Sequence, residues 1–293
     1  MTAYIARFII DLANILTSCI KVLLFSHLGR PIKRIHIDSS KPAVILGNGP
    51  SLLPTLSTYL DFFKNKNCIC VNDFAASDYF EKIKPGIYVF TDPAYWTRST
   101  SERIRKQLEL YRKKMIQNVD WDMTIIMPYA AKKWNYFNDL PQKNNKISIC
   151  YINTTEINCN KRLRFFLYKK NLAIPPMQNV IVAALFVSIN VGIRQSYLVG
   201  ADHSWHESFF VGNDNILYLK NKRFQDKEEA HFSPFFQDPG ESVPYRMDNL
   251  LFALAKMFQG YRELDEYSKK QGAKIYNAST KSYIDAFERL KLS

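Results

Sequence analysis

Residues 41–52 run Lys-Pro-Ala-Val-Ile-Leu-Gly-Asn-Gly-Pro-Ser-Leu, and no other stretch constrains the fold as tightly. Ala43 to Leu46 is a short apolar run that breaks at Gly47-Asn48-Gly49-Pro50-Ser51, and a helical pattern resumes at Leu52. A few apolar residues bounded by Gly and Pro form a buried strand. Pro50 at the first helical position, or Ser51 as N-cap, then opens a helix. Glycines give the turn access to positive φ and let a ligand approach the backbone. Free N–H groups at the helix start would face an anion in the loop. These features predict the first strand-to-helix turn of an open α/β sheet, holding a nucleotide phosphate at the carboxyl end of its first strand. The spacing is neither G-x-G-x-x-G nor the Gly-Lys-Ser/Thr of the P-loop.

Further apolar runs at 68–72, 87–91, 123–127, 147–152, 196–200 and 273–276 alternate with helical patterns at 52–65, 98–117, 180–191 and 245–271. Such alternation predicts an α/β fold: a Rossmann-like, doubly wound, mainly parallel sheet. That domain occupies 37–293. Residues 203–244, rich in His, Asn, Asp, Phe and Pro and without periodicity, read as a lid insertion over the site.

Residues 1–36 read as an N-terminal amphipathic helix and a basic linker. Arg7, Asp11, Asn14, Ser18 and Lys21 recur at spacings of four and three, forming one polar stripe on a helix that is otherwise apolar. Charges in mid-span suit a helix lying on a bilayer better than one crossing it, and packing against the domain or a true membrane anchor are the other arrangements. Arg30, Lys33 and Arg34 would meet anionic headgroups, which places the protein peripherally on the cytoplasmic face of a membrane. No small-x-small site follows, which disfavours a cleaved signal peptide. The net charge of +13 also points to an anionic partner. No nucleic-acid module is recognisable, and the basic stretches at 103–114 and 161–170 read as solvated helix faces. The five cysteines form no C-x-x-C pair, and Cys68 and Cys70 sit in an apolar run as small hydrophobes, which suits a reducing compartment.

The chemistry gathers where strands end. Asn48, Asn72-Asp73, Asp92 and Asp202-His203 each close an apolar run, and in a parallel sheet those ends line one crevice. Gly47-Asn48-Gly49-Pro50-Ser51-Leu52, Asn72-Asp73-Phe74 and Phe90-Thr91-Asp92-Pro93, followed by the helix at 180–192 and the strand ending at Asp202, resemble the bacterial CMP-sialic-acid-dependent sialyltransferases of glycosyltransferase family 42. A related Gly-Asn-Gly-Pro-Ser pattern occurs in motility accessory factor and 6-hydroxymethylpterin diphosphokinase-like proteins. The resemblance implies an inverting, metal-independent transfer of a sugar from a CMP-linked or related nucleotide donor to a glycan or glycolipid acceptor, with no cofactor. It implies that Gly47, Asn48, Gly49, Pro50, Ser51 and Asn72 contact the nucleotide. Where the family has Asn before Pro, this chain has Asp92, a carboxylate able to accept from ribose hydroxyls. At the entry of the helix near 180, Gln178 and Asn179 are the residues able to serve. In place of two tyrosines that steady the leaving phosphate, the chain offers His203 and His206, which as imidazolium would do the same. The lid histidine that acts as base in the family corresponds to His231.

Other motifs say less. Asp120-Trp121-Asp122 spells the metal-holding D-x-D but precedes a strand instead of following one. A Mg-ATP diphosphokinase using Asp92 and Asp202 as ligands, and a non-catalytic membrane-associated assembly module, are the alternative readings. A homo-oligomer is compatible with all three.

Overall fold

The computed structural model describes residues 2–29, 32, 35–97, 102–221, 231–236 and 243–292. Helix α1 (Thr2–Phe25) precedes the first strand β1 (Ala43–Leu46), and then come α2 (Leu52–Thr58), β2 (Asn67–Val71), α3 (Phe80–Ile83) and β3 (Ile87–Val89). The chain continues through α4 (Glu102–Asn118), β4 (Met123–Pro128), α5 (Leu140–Lys143), β5 (Ile147–Ile152), α6 (Lys161–Lys169), α7 (Val180–Asn190) and β6 (Gln195–Val199). A small antiparallel meander follows, β7 (Phe209–Val211), β8 (Leu217–Asn221) and β9 (His231–Pro234), before α8 (Met247–Lys270), β10 (Lys274–Asn277) and β11 (Glu288–Arg289).

The large sheet has the order β11-β10-β6-β1-β2-β3-β4-β5, and every pairing in it is parallel. From β1 the chain steps outward to β5, then returns to place β6 on the other side of β1. The strand order therefore reverses between β1 and β6, where open α/β sheets bind ligands. Both faces are covered, which is why the strands read as unbroken apolar runs. Ala43 and Ile45 of β1 pack with α7 and α8, whereas Val44 and Leu46 pack with α2 and α4. Helix α7 is buried from Val180 to Ile189, which explains its uniformly apolar sequence. All five cysteines are unpaired, and burial pushes the Cys68 thiol up to about 12 and the Cys70 thiol well above its ordinary value.

Two expectations are corrected here. The helix expected over 52–65 ends at Thr58 and is continued by a 3-10 turn at Leu60–Phe63. The expected aperiodic lid contains a 3-10 turn, Trp205–Ser208, and the three-stranded meander. Its strands escape a periodicity reading because their apolar side chains, Phe210, Val211 and Phe232, are exposed and follow no buried-face alternation. Residues 222–230 and 237–242 of that segment lie outside the described residues.

Helix α1 is long and apolar enough to cross a membrane over Tyr4–Phe25, with a mean hydropathy of 1.9. Its apolar side does not face the domain. Residues 4–13 are exposed on every side, and Leu16, Ile20, Leu23 and Leu24 are exposed as well. Ser18, from the polar stripe, is buried together with Val22. The helix is tied down at its end: His27 N–H donates to Asn153 Oδ1 (2.8 Å) while Asn153 Nδ2 donates back to His27 O (2.9 Å). The His27 ring stacks on Tyr129 at 4.0 Å. Arg30, Lys33 and Arg34 of the basic linker lie outside the described residues.

Candidate functional site

The Gly-Asn-Gly-Pro-Ser loop sits at the carboxyl end of β1, as expected, but the N–H groups of Gly47, Gly49 and Ser51 do not stand free. Gly47 N–H donates to Val199 O and Gly49 N–H to Gly200 O, both at 2.8 Å. Asp202 takes Ser51: its Oδ2 accepts from Ser51 N–H (3.0 Å) and its Oδ1 from the Ser51 hydroxyl. Burial raises the Asp202 carboxyl above its usual range although both Ser51 bonds pull it down. The glycines are required by the strand beside them. A Cβ at Gly47 would lie 2.5 Å from Gly200 O, and one at Gly49 would lie 2.8 Å from Asp202 Oδ1. Neither glycine takes positive φ, whereas Gly200 does, at 64°. This corrects the reading of the loop as an open phosphate cradle and of Asp202 as a ligand-facing group. The loop is clamped onto the segment after β6, and Asp202 is the clamp.

What the clamp leaves available is side-chain polarity. Buried polar atoms are almost always paired, so each exception marks something. Among the described residues, the unpartnered buried side-chain atoms include Asn48 Oδ1, Asn72 Oδ1, Asn179 Nδ2 and His203 Nδ1. They follow β1 and β2, precede α7 and follow β6, and so surround the point where the strand order reverses. Asn48 Nδ2 donates to Val71 O (3.1 Å), bridging the first two strand ends and fixing the amide so that Oδ1 is the free atom. Asn72 and His203 also hold left-handed backbone conformations, with φ of 45° and 50°. Non-glycine residues bear that strain, on the order of 1 kcal/mol or more, where surrounding structure imposes it, and such residues gather at functional sites.

His203 belongs to a buried chain of polar groups. Its Nε2 lies 2.6 Å from the Tyr261 hydroxyl, which donates to Asn179 Oδ1 at 3.1 Å. Asn179 Oδ1 also caps α7, accepting from Ile181 N–H and Val182 N–H. Burial alone drives the His203 imidazole down to about 3, so it is neutral at physiological pH. This corrects its expected role as a charged stabiliser of a leaving phosphate. The stability consequence has a definite sign. Between about 3 and the ordinary value of 6.5, the unfolded chain takes up a proton that the folded one refuses. The contribution is complete above 6.5 and lost as pH falls, by at most about 1.4 kcal/mol per pH unit. Urea titrations should therefore show a loss of about 2 kcal/mol from this residue between about pH 7 and about pH 5. His203→Gln should remove that part of the pH dependence.

The remaining candidates are dispersed. Asp92 is exposed and accepts from Ala94 N–H (2.9 Å), capping the 3-10 turn Pro93–Tyr95. Gln178 is exposed at the entry of α7. His206 is exposed, edge-on to Tyr283 at 4.3 Å, beside Glu207, which Lys281 holds at 2.7 Å. His231 opens β9, and its side chain lies outside the described residues. Asp120 and Asp122 pair instead with Lys84 and Lys146 at the amino end of β4. No group of three or more His, Cys, Asp or Glu able to hold a metal occurs among the described residues. Tyr261 and Asp202's clamp on Ser51 went unread in the sequence: an aromatic within a long amphipathic helix signals only core.

No protein-family model and no curated protein matches the chain. Among solved structures, a MAf glycosyltransferase from Magnetospirillum magneticum AMB-1 overlaps 90% of this chain and 37% of its own, at 13% identity and a TM-score of 0.45. This chain thus spans little more than a third of that protein's length, and the likeness is one of outline.

Proposed function

We propose that the chain is a glycosyltransferase that takes a sugar from a CMP-linked or related nucleotide donor and passes it, with inversion, to a glycan or glycolipid acceptor. The observation that carries this reading is the ring of unpartnered buried polar atoms at the reversal of strand order. Two of the four, Asn48 Oδ1 and Asn72 Oδ1, are acceptors by chemistry, and His203 Nδ1 is a third in the Nε2–H tautomer. Acceptors of this kind suit ribose hydroxyls and an exocyclic base amine, and a clamped loop provides a rigid wall for them. In the reaction, the acceptor hydroxyl oxygen attacks the anomeric carbon, the bond from that carbon to the phosphate oxygen breaks, and CMP departs. His231, on the edge strand of the meander, takes the hydroxyl proton. His206 is exposed and edge-on to Tyr283, whose N–H donates to Asp202 O, and takes the charge-stabilising role that buried His203 does not fill. Among the alternatives, the Mg-ATP reading requires Asp92 and Asp202 as ligands, yet Asp202 is buried with both carboxylate oxygens bonded to Ser51.

The outward apolar side of α1 supports a peripheral position at a membrane, tested by co-sedimentation with anionic vesicles; recovery only in the supernatant would contradict it. Calorimetric titration tests the nucleotide reading. CMP should saturate the protein while UDP and GDP do not, and Asn72→Ala should weaken CMP about tenfold, the value of one lost hydrogen bond near 1.4 kcal/mol. Failure of all three nucleotides to bind at millimolar concentration would overturn the proposal.

A further inference from the structure

We infer that Asn179, Tyr261 and His203 form a directional hydrogen-bond relay that presents the Nδ1 lone pair of His203 to the bound ligand, as a fixed acceptor for a hydroxyl or amino group. Asn179 Oδ1 sets the direction. As a carbonyl oxygen it only accepts, and it already receives Ile181 N–H (2.9 Å) and Val182 N–H (3.3 Å) as the cap of α7. The Tyr261 hydroxyl, 3.1 Å from it, must therefore spend its single proton there. Only a lone pair is then left for His203 Nε2, 2.6 Å away, and a contact that short requires the imidazole proton to be on Nε2. Nδ1 is left as an acceptor, buried and without a partner among the described residues.

The surroundings hold the relay in place. Tyr261 and His203 are both buried, and the His203 ring is boxed by Trp205, Phe258 and Tyr261 at 5.1, 6.4 and 5.3 Å between centroids. The left-handed backbone at His203 fixes where its side chain leaves the strand end. Gly260, packed against the Pro176 carbonyl, brings α8 close enough for the Tyr261 hydroxyl to stand between the other two residues. A lone pair that is buried, oriented and unpaired is costly unless a donor satisfies it, and a site built this way discriminates strongly against ligands that lack the donor. Tyr261 and Asn179 are thus positioning residues, acting through His203.

This inference rests on the nucleotide reading for the identity of the ligand, but not for the direction of the relay. The chain has 5 histidines, so long-range 15N–1H spectra of histidine-labelled protein are readily assigned with His203→Gln as reference. At neutral pH, His203 should appear with Nε2 protonated and Nδ1 bare. Removing the acceptor in Asn179→Ala frees the Tyr261 proton for Nε2, and the His203 proton should move to Nδ1. Saturating CMP should shift the Nδ1 resonance as it accepts a hydrogen bond. An Nδ1–H tautomer or an imidazolium in the wild type, or an unchanged tautomer in a folded Asn179→Ala, would overturn the relay. CMP that binds without moving Nδ1 would overturn its role toward the ligand. Absence of CMP binding with the tautomers as stated would instead overturn the nucleotide reading.

Discussion

Asp202→Ala should lower the unfolding free energy by about 3 kcal/mol. Its carboxylate accepts two bonds from Ser51, one from the backbone and one from the hydroxyl. Hydrogen bonds to a charged group contribute roughly 1.5–3 kcal/mol each, and a buried donor left unpaired adds its own penalty. Relief of the carboxylate's desolvation, visible in its raised pKa, offsets part of the sum. Asp202→Asn keeps an acceptor for Ser51 N–H and should cost only about 1 kcal/mol. The loss should be shared with Ser51: Ser51→Ala in the Asp202→Ala background should add little, because contacting partners are not additive. Urea unfolding of the four proteins reads this directly. Independent, additive effects would show that Asp202 does not clamp the loop.

Gly260→Ala is the second large effect, and its sign opposes propensity. Within an exposed helix, replacing Gly by Ala stabilises by about 1 kcal/mol. Gly260 lies in the middle of α8, where a Cβ would strike the Pro176 carbonyl oxygen, with Val182 Cγ2 at 3.4 Å behind it. The obstacle is backbone, so helix and loop must separate, and we expect a net loss of about 3 kcal/mol. The next residue is Tyr261, so the same displacement should break its bond to Asn179 and weaken nucleotide binding. Gln259→Ala, one residue away on the exposed side, should alter stability by no more than about 0.5 kcal/mol. Thermal and urea unfolding compare the two variants; a stabilised Gly260→Ala would mean that α8 is not held against the α7 entry.

The sheet was legible because buried parallel strands are short apolar runs punctuated by Gly, Pro, Asn and Asp, and here the punctuation fell at the strand ends. Asn48 and Asn72 were legible for the same reason. The purpose of the loop was not. Nothing between 47 and 51 reveals that Val199, Gly200 and Asp202, about 150 positions later, will consume the N–H groups of Gly47, Gly49 and Ser51. His203 looked like a titrating histidine because burial is a property of the assembled fold, not of the tripeptide around it. Tyr261 carries no local signal, since its position follows from Gly260 and Pro176, which are distant in sequence from each other. Asp92 shows the converse: Asp-Pro at a turn is ordinary capping chemistry, and the structure gives it that role. Helix α1 displays a regular polar stripe, yet which side meets the domain depended on Ser26 and His27 finding Thr155 and Asn153.

In the proposed function, a nucleotide occupies the carboxyl-end crevice around Asn48, Asn72, Asn179 and His203. A crystal of the full chain soaked with CMP tests it most directly. Density for CMP is expected there, with hydroxyl or amino donors within hydrogen-bond distance of Asn48 Oδ1, Asn72 Oδ1 and His203 Nδ1. CMP bound elsewhere, or these atoms still unpartnered beside an ordered nucleotide, would contradict it.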